Sequence, residues 1–162
     1  MKWQDLLENW GLTNIKLKLK FAELEFKPNA EDEEAAWNMY VEMITRVTTQ
    51  NLSLEYGDEK SSLDSIYKIF DITRNILKQH GRKCNEFTRI AIIVLNQIIR
   101  PFTAKWHKLS LDGSFSDKER CIEYRNDLSY IQVKLIYYTK LLANIANVED
   151  LTCFDDATYL DI

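Results

Sequence analysis

Between Asp117 and Asn147 the apolar residues Leu128, Ile131, Leu135, Tyr138, Leu142 and Ile145 recur at alternating intervals of three and four. That rhythm places all six on one side of a single long helix, a seam for packing against neighbouring helices. Asp117 is a suitable N-cap. The chain as a whole supports the same reading. It holds four Gly and two Pro in 162 residues, too little turn material for many short strands, so a few long helices are expected.

Three more helical segments follow from periodicity. From about Glu31 to Gln50 or Leu52, Ala36, Met39, Tyr40, Met43, Ile44 and Val47 form an apolar stripe, and the acidic residues Glu31 to Glu34 suit a helix N-terminus. After the loop YGDEKSS, a second helix capped by Ser61 or Ser62 runs through Leu63, Ile66, Tyr67, Phe70, Ile76 and Leu77 to Gly81. A third, Asn85 to about Trp106, is apolar on more than one face and should be central. Ahead of these, residues 1–12 predict a short amphipathic helix with Trp3, Leu6, Leu7 and Trp10 on one side. NIKLKLKFAELEF then alternates apolar and charged residues with a phase shift at Ala22, which reads as a strand or hairpin with a bulge. The fold class expected is all-α: a bundle of four long helices with an N-terminal short helix and an extended, β-like segment. Residues 1–30 form the N-terminal part, 31–147 the bundle and 148–162 an acidic tail, all within one domain.

Charge excludes some functions. The net charge is −4, unlike the concentrated basic face of a general nucleic-acid binder. The tail VEDLTCFDDATYLDI carries Glu149, Asp150, Asp155, Asp156 and Asp161 without a Lys or Arg, leaving the body near neutral. Such a tail either docks on its own domain or serves as an acidic recognition peptide. Cys84, Cys121 and Cys153 are odd in number and widely spaced, and MKWQDLLENW lacks the pattern of a secretion signal, so a reducing cytoplasm is expected. No apolar run approaches a membrane span.

The polar residues worth weighing sit on the apolar segments. Asn96, Arg100, Thr103 and His107 are spaced by four, three and four, so a helix continuing through Pro101 would align them on one face. Glu42, Arg46 and Thr49 are similarly stacked on the first long helix. The favoured interpretation is a polar cluster in which buried Arg100 is clamped by a carboxylate, with Pro101 kinking its helix. These same groups would suit a sensor for a small anionic ligand.

A sharper alternative is ribonuclease chemistry. RPFTAKWH at 100–107 and RNILKQH at 74–80 both resemble the Arg–His motif of HEPN nucleases, helical bundles that cleave RNA without metal. The resemblance implies His107 or His80 as general acid or base and Arg100 or Arg74 as stabiliser of the phosphoryl transition state. Six helical positions, however, set Arg74 and His80 about 240° apart. No metal or cofactor is expected: the two histidines lie in different segments, no H-x-x-H, E-x-x-H or C-x-x-C pair is present, and there is no glycine-rich phosphate loop. Trp37, Tyr40 and Trp106 could line a pocket but at helical spacing read first as core. Tyr137 and Tyr138 are adjacent, so at least one should face outward.

AAWNMYVEMITRVTTQ at 35–50 and VLNQIIRPFTAKWHKLSL at 94–111 also resemble stretches of a family of small, standalone all-helical bacterial proteins, over about Trp10 to Leu151. Some members of that family are associated with defence or conflict systems. The resemblance implies a cytoplasmic bacterial protein with protein partners and carries over no catalytic residues. The functional expectation is a non-enzymatic binding or scaffold protein, acting through the N-terminal segment and the acidic tail on a partner protein or a second copy. Nucleic acid enters only under the ribonuclease alternative.

Overall fold

The computed structural model describes residues 1–10 and 24–152. The fold is all-α. Its helices are α1 (Trp3–Asn9), α2 (Ala30–Ile44), α3 (Glu59–Tyr67), α4 (Ile69–His80), α5 (Asn85–Val94), α6 (Arg100–Leu111) and α7 (Lys118–Ala146). The seam read from the sequence holds: Leu128, Ile131, Leu135, Tyr138, Leu142 and Ile145 are all buried. α7 lies principally along α2, which also packs on α4 and α5. Ala35 and Ala36 of α2 are fully buried, small enough to admit close approach of its neighbours.

The helix ends follow from local hydrogen bonding. Asn29 Oδ1 accepts from the backbone N–H groups of Glu31 (2.9 Å) and Asp32 (3.0 Å), while Asp32 Oδ2 accepts from Asn29 N–H (3.0 Å), closing a capping box. Asp117 caps α7 through Glu119 N–H (2.9 Å), and Asn147 ends it in the left-handed conformation at φ 54°, with Val148 N–H bonded back to the Ala143 carbonyl (3.0 Å). Gly81, at φ 69°, closes α4.

Three expectations are corrected. The cap of the segment after the loop is Asp58, whose carboxylate accepts from Ser61 N–H at 2.6 Å, and not Ser61 or Ser62. Ser62 is buried, with its hydroxyl 2.6 Å from the Tyr124 hydroxyl. That segment is two helices, interrupted at Lys68. The third long helix is also two, joined by a π-helical turn over Leu95–Ile99. Arg100 N–H there bonds to the Leu95 carbonyl. The wider turn displaces the carbonyls that the Pro101 ring would otherwise meet, so the proline begins α6 rather than bending one continuous helix.

α6 is held by its aromatic residues. Trp106 is fully buried, edge-on to Tyr124 (5.1 Å between ring centroids) and stacked on Phe115 (5.9 Å). Its indole N–H donates to Asp127 Oδ2 at 3.0 Å. Tyr40 is core as well, whereas Trp37 is half-exposed and stacks on it. Tyr138 is buried and Tyr137 half-buried; Trp10 packs against both rings.

A polar junction fastens the N-terminal elements. Asp32, completely buried, accepts from Phe87 N–H at 2.9 Å, supplying to α5 the cap that Cys84 does not. Glu86 accepts from the Trp3 indole (2.7 Å) and from Arg89 (2.7 Å), tying down α1. Burial holds the Glu86 carboxyl above its ordinary range, against the opposing pull of Trp3 and Arg89.

Most of the alternating stretch lies outside the described residues. Its last part pairs with the chain's own beginning: Trp3 N–H donates to the Leu24 carbonyl (3.1 Å) and Phe26 N–H to that of Met1 (2.9 Å). The described start of the tail also packs on the body, since the Tyr40 hydroxyl donates to the Glu149 carbonyl and accepts from Leu151 N–H, both at 3.0 Å. Among the described residues no helix is long and apolar enough to cross a membrane.

Candidate functional site

The polar residues singled out in the sequence do not form one cluster. Glu42 and Arg46 pair with each other at 2.6 Å, and the Thr49 hydroxyl donates to the Met43 carbonyl at 3.3 Å. Arg100 is exposed, bonded to Asn96 Oδ1 at 3.1 Å, and its guanidinium lies 4.9 Å from the centre of the Phe70 ring. Among the described residues the expected carboxylate clamp on a buried Arg100 is therefore absent: the exposed guanidinium lies over the Phe70 ring, where its charge stays hydrated. Buried Thr103 donates to the Ile99 carbonyl at 3.0 Å.

His107 meets the edge of Tyr67 at 4.7 Å between centroids, and its Nε2 is 4.0 Å from Asp64 Oδ1. Burial and nearby Lys60 push its pKa below the ordinary histidine value, against the opposite pull of Asp64. Tyr67 in turn lies 5.5 Å from Phe70. Arg100 and His107 thus stand on the same side of α6 but engage successive rings of the α3–α4 segment instead of converging on one point. Arg74 pairs with Asp71, whereas His80 Nε2 is 2.9 Å from Asn38 Nδ2, so this second Arg–His pair is also apart. Among the described residues no three His, Cys, Asp or Glu side chains gather as a metal-holding group.

A different region stands out as a built surface. The segment after α2 is fastened to α7 by two side chains one heptad apart. Gln132 Nε2 donates to the carbonyls of Val47 and Gln50, both at 2.7 Å. Arg125 donates to Glu59 Oε1 (2.6 Å), to the carbonyls of Ser53 (2.8 Å) and Gly57 (3.1 Å), and more distantly to that of Leu52 (3.4 Å). The loop closes on itself, because Gly57 N–H donates to the Ser53 carbonyl at 3.0 Å. A Cβ at position 57 would sit 2.2 Å from that oxygen, so glycine alone permits the turn.

The braced backbone holds Leu54 and Tyr56 in solvent, 91% and 83% exposed. Leu54 and Tyr56 themselves form one wall of a cavity of about 780 Å³ between the loop and α7, whose other wall includes Asn126, Leu128 and Ser129. The outer ridge of α7 adds Ile122, Tyr130 and Val133, 61%, 67% and 69% exposed. A smaller groove of about 250 Å³ flanks the other side of Tyr130, against Pro101 and Phe102 of α6. Lys105 pins α6 to this ridge through Asp127 (2.7 Å) and Glu123 (2.8 Å). Those bonds raise the Lys105 pKa and lower that of Glu123.

Periodicity did not single out this site because its parts come from a loop and from the outside of a helix noted for its inside. Two signals were nonetheless present: Leu54 and Tyr56 within an otherwise polar loop, and Arg125 and Gln132 seven residues apart on one side of α7. In comparisons with known proteins, no family model, curated protein or solved structure matches the chain.

Proposed function

We propose that the chain is a non-enzymatic helical binding or scaffold module that acts through protein–protein contact, using the braced loop and the outer ridge of α7 as its contact face. The observation that carries this reading is the exposure of Leu54 and Tyr56 on a loop whose backbone is immobilised by Arg125. Apolar side chains held in water by a rigid support favour association, because their burial is gained with little ordering cost. Tyrosine beside a hollow is also a common anchor of interfaces. The setting assigned is a bacterial cytoplasm, within a defence system, on the resemblance of the 35–50 and 94–111 stretches.

The described ends of the N-terminal segment and of the tail bond to the body, so the contact face is placed on the loop and α7 rather than on those segments. Ribonuclease chemistry would need an arginine and a histidine aimed at one phosphate; Arg100 and His107 instead engage separate rings. An anion sensor would need Arg46 free, and it is held by Glu42.

The test immobilises the full chain and measures proteins retained from its host, the untagged chain included. Leu54→Ser/Tyr56→Ser should lose the retained proteins, while Arg100→Ala/His107→Ala should keep them. Equal retention by the first variant, or RNA cleavage that vanishes with the second, would refute the reading.

A further inference from the structure

We infer that the cavity between the loop and α7 is a peptide site, which takes an extended, non-acidic segment of a partner protein through main-chain hydrogen bonds and lodges one apolar side chain. The inference rests on the contact-face reading above and adds the chemistry of what that face binds.

The first observation is a fixed acceptor. Gln132 lines the cavity and is only 5% exposed. The bonds that its Nε2 donates to the Val47 and Gln50 carbonyls use both amide hydrogens, so the amide cannot turn over and Oε1 is held in one place. That oxygen has no donor among the described residues. Nor is it sealed from its surroundings, as the unpartnered oxygens of Thr73 and Tyr138 are. It therefore opens toward the cavity that its residue lines, where an N–H group would satisfy it.

The second is an imbalance on the opposite wall. The carbonyls of Val47, Gln50, Leu52, Ser53 and Gly57 accept from Gln132 or Arg125. The N–H groups of residues 51–55, all of which line the cavity, donate to nothing among the described residues. Bracing thus uses the acceptors of the loop and leaves its donors. An extended main chain offers carbonyls to those donors and an N–H to Gln132 Oε1, the pairing by which a strand adds to a free edge. On the α7 wall, Asn126 and Ser129 have no side-chain hydrogen bond among the described residues and can both donate and accept. From Asn126 to Gln132 is about 9 Å along the helix, the length of about three extended residues.

The third is charge. Arg125 is engaged by Glu59 and by loop carbonyls. The other charged side chain of the lining, Glu55, is exposed and has no ion pair among the described residues. An acidic segment would be repelled, whereas a lysine or arginine beside the apolar residue would be drawn to Glu55. Leu52, Leu54, Tyr56 and Leu128 supply apolar surface for the lodged side chain. The volume of about 780 Å³ is that of a ligand-sized cleft.

Panning a phage-displayed library of random heptapeptides on the full chain tests this. It should enrich sequences with a large apolar residue beside a lysine or arginine and few acidic residues. An enriched peptide, made synthetically, should bind at least tenfold more weakly when a central peptide nitrogen is methylated, which removes an N–H, and to Leu54→Ser/Tyr56→Ser. Glu55→Lys should weaken it about fivefold. Its binding should slow amide exchange at residues 51–55. No enriched sequence, affinity indifferent to methylation at every position, or unchanged exchange at 51–55 would overturn the inference. If host proteins are still lost by Leu54→Ser/Tyr56→Ser despite such a result, the contact face stands and only the peptide mode falls. If their retention is equal as well, both fall.

Discussion

The junction around Asp32 and the loop around Leu54 are both built on hydrogen bonds between distant parts of the chain, yet they end in opposite ways. At the junction, Asp32 and Glu86 are buried and their oxygens accept from Phe87, Asn29, Trp3 and Arg89, so donors and acceptors are consumed within the molecule. At the loop, Arg125 and Gln132 satisfy backbone carbonyls just as thoroughly, and Val47 and Leu52 pack on the core, but Leu54 and Tyr56 stay in solvent. Buried polar groups must be paired or they cost stability, which accounts for both sets of bonds. Nothing in folding alone requires a well-fastened loop to display a leucine and a tyrosine. The junction is explained by architecture; the loop is where we propose that a partner binds.

Substitutions can break this contrast. The largest effect is expected at the junction: Asp32→Ala leaves the buried Phe87 N–H without its acceptor and should lower unfolding free energy by about 3 kcal/mol in urea titration. Arg125→Ala should cost less, about 2 kcal/mol, because its partners can turn to water, but it should open residues 52–57 to protease and speed their amide exchange. Unchanged exchange there would refute the bracing. Glu86→Gln keeps an acceptor for Trp3 and removes the charge. The folded-state pKa of Glu86 is raised above its ordinary 4.5, so the folded form binds the proton more tightly. Wild-type stability relative to Glu86→Gln should therefore rise as pH falls through the raised folded value toward 4.5, and a difference independent of pH would contradict the burial argument. The smallest effect is expected at Arg100→Ala, within about 0.5 kcal/mol, since the guanidinium is exposed; a loss of about 3 kcal/mol or more would point to the buried clamp instead.

The sequence is most informative where burial imposes a period. The seam of α7, the caps at Asp117 and Asn147 and the closing Gly81 need only local chemistry, and all are present. It is less informative where geometry depends on partners far along the chain. The π-turn before Pro101 exchanges one helical register for another without altering the apolar pattern, so Asn85 to Trp106 reads as one helix. Ser61 and Ser62 looked like caps by residue type, but Ser62 is drawn inward by Tyr124. Asn96 and Arg100 are exposed and bonded to each other while Thr103 is buried, so which neighbours face these residues is not encoded in their spacing. The role of Arg125 is not legible in spacing for the same reason, since its partners lie 66 to 73 residues away.

The most direct test of the central claim is photo-crosslinking within the host. A photoreactive residue at Tyr56 is compared with one at exposed Lys108, outside the proposed face. The account predicts a covalent protein adduct from position 56 and none from position 108. No adduct at position 56, or equal adducts at both, would contradict it.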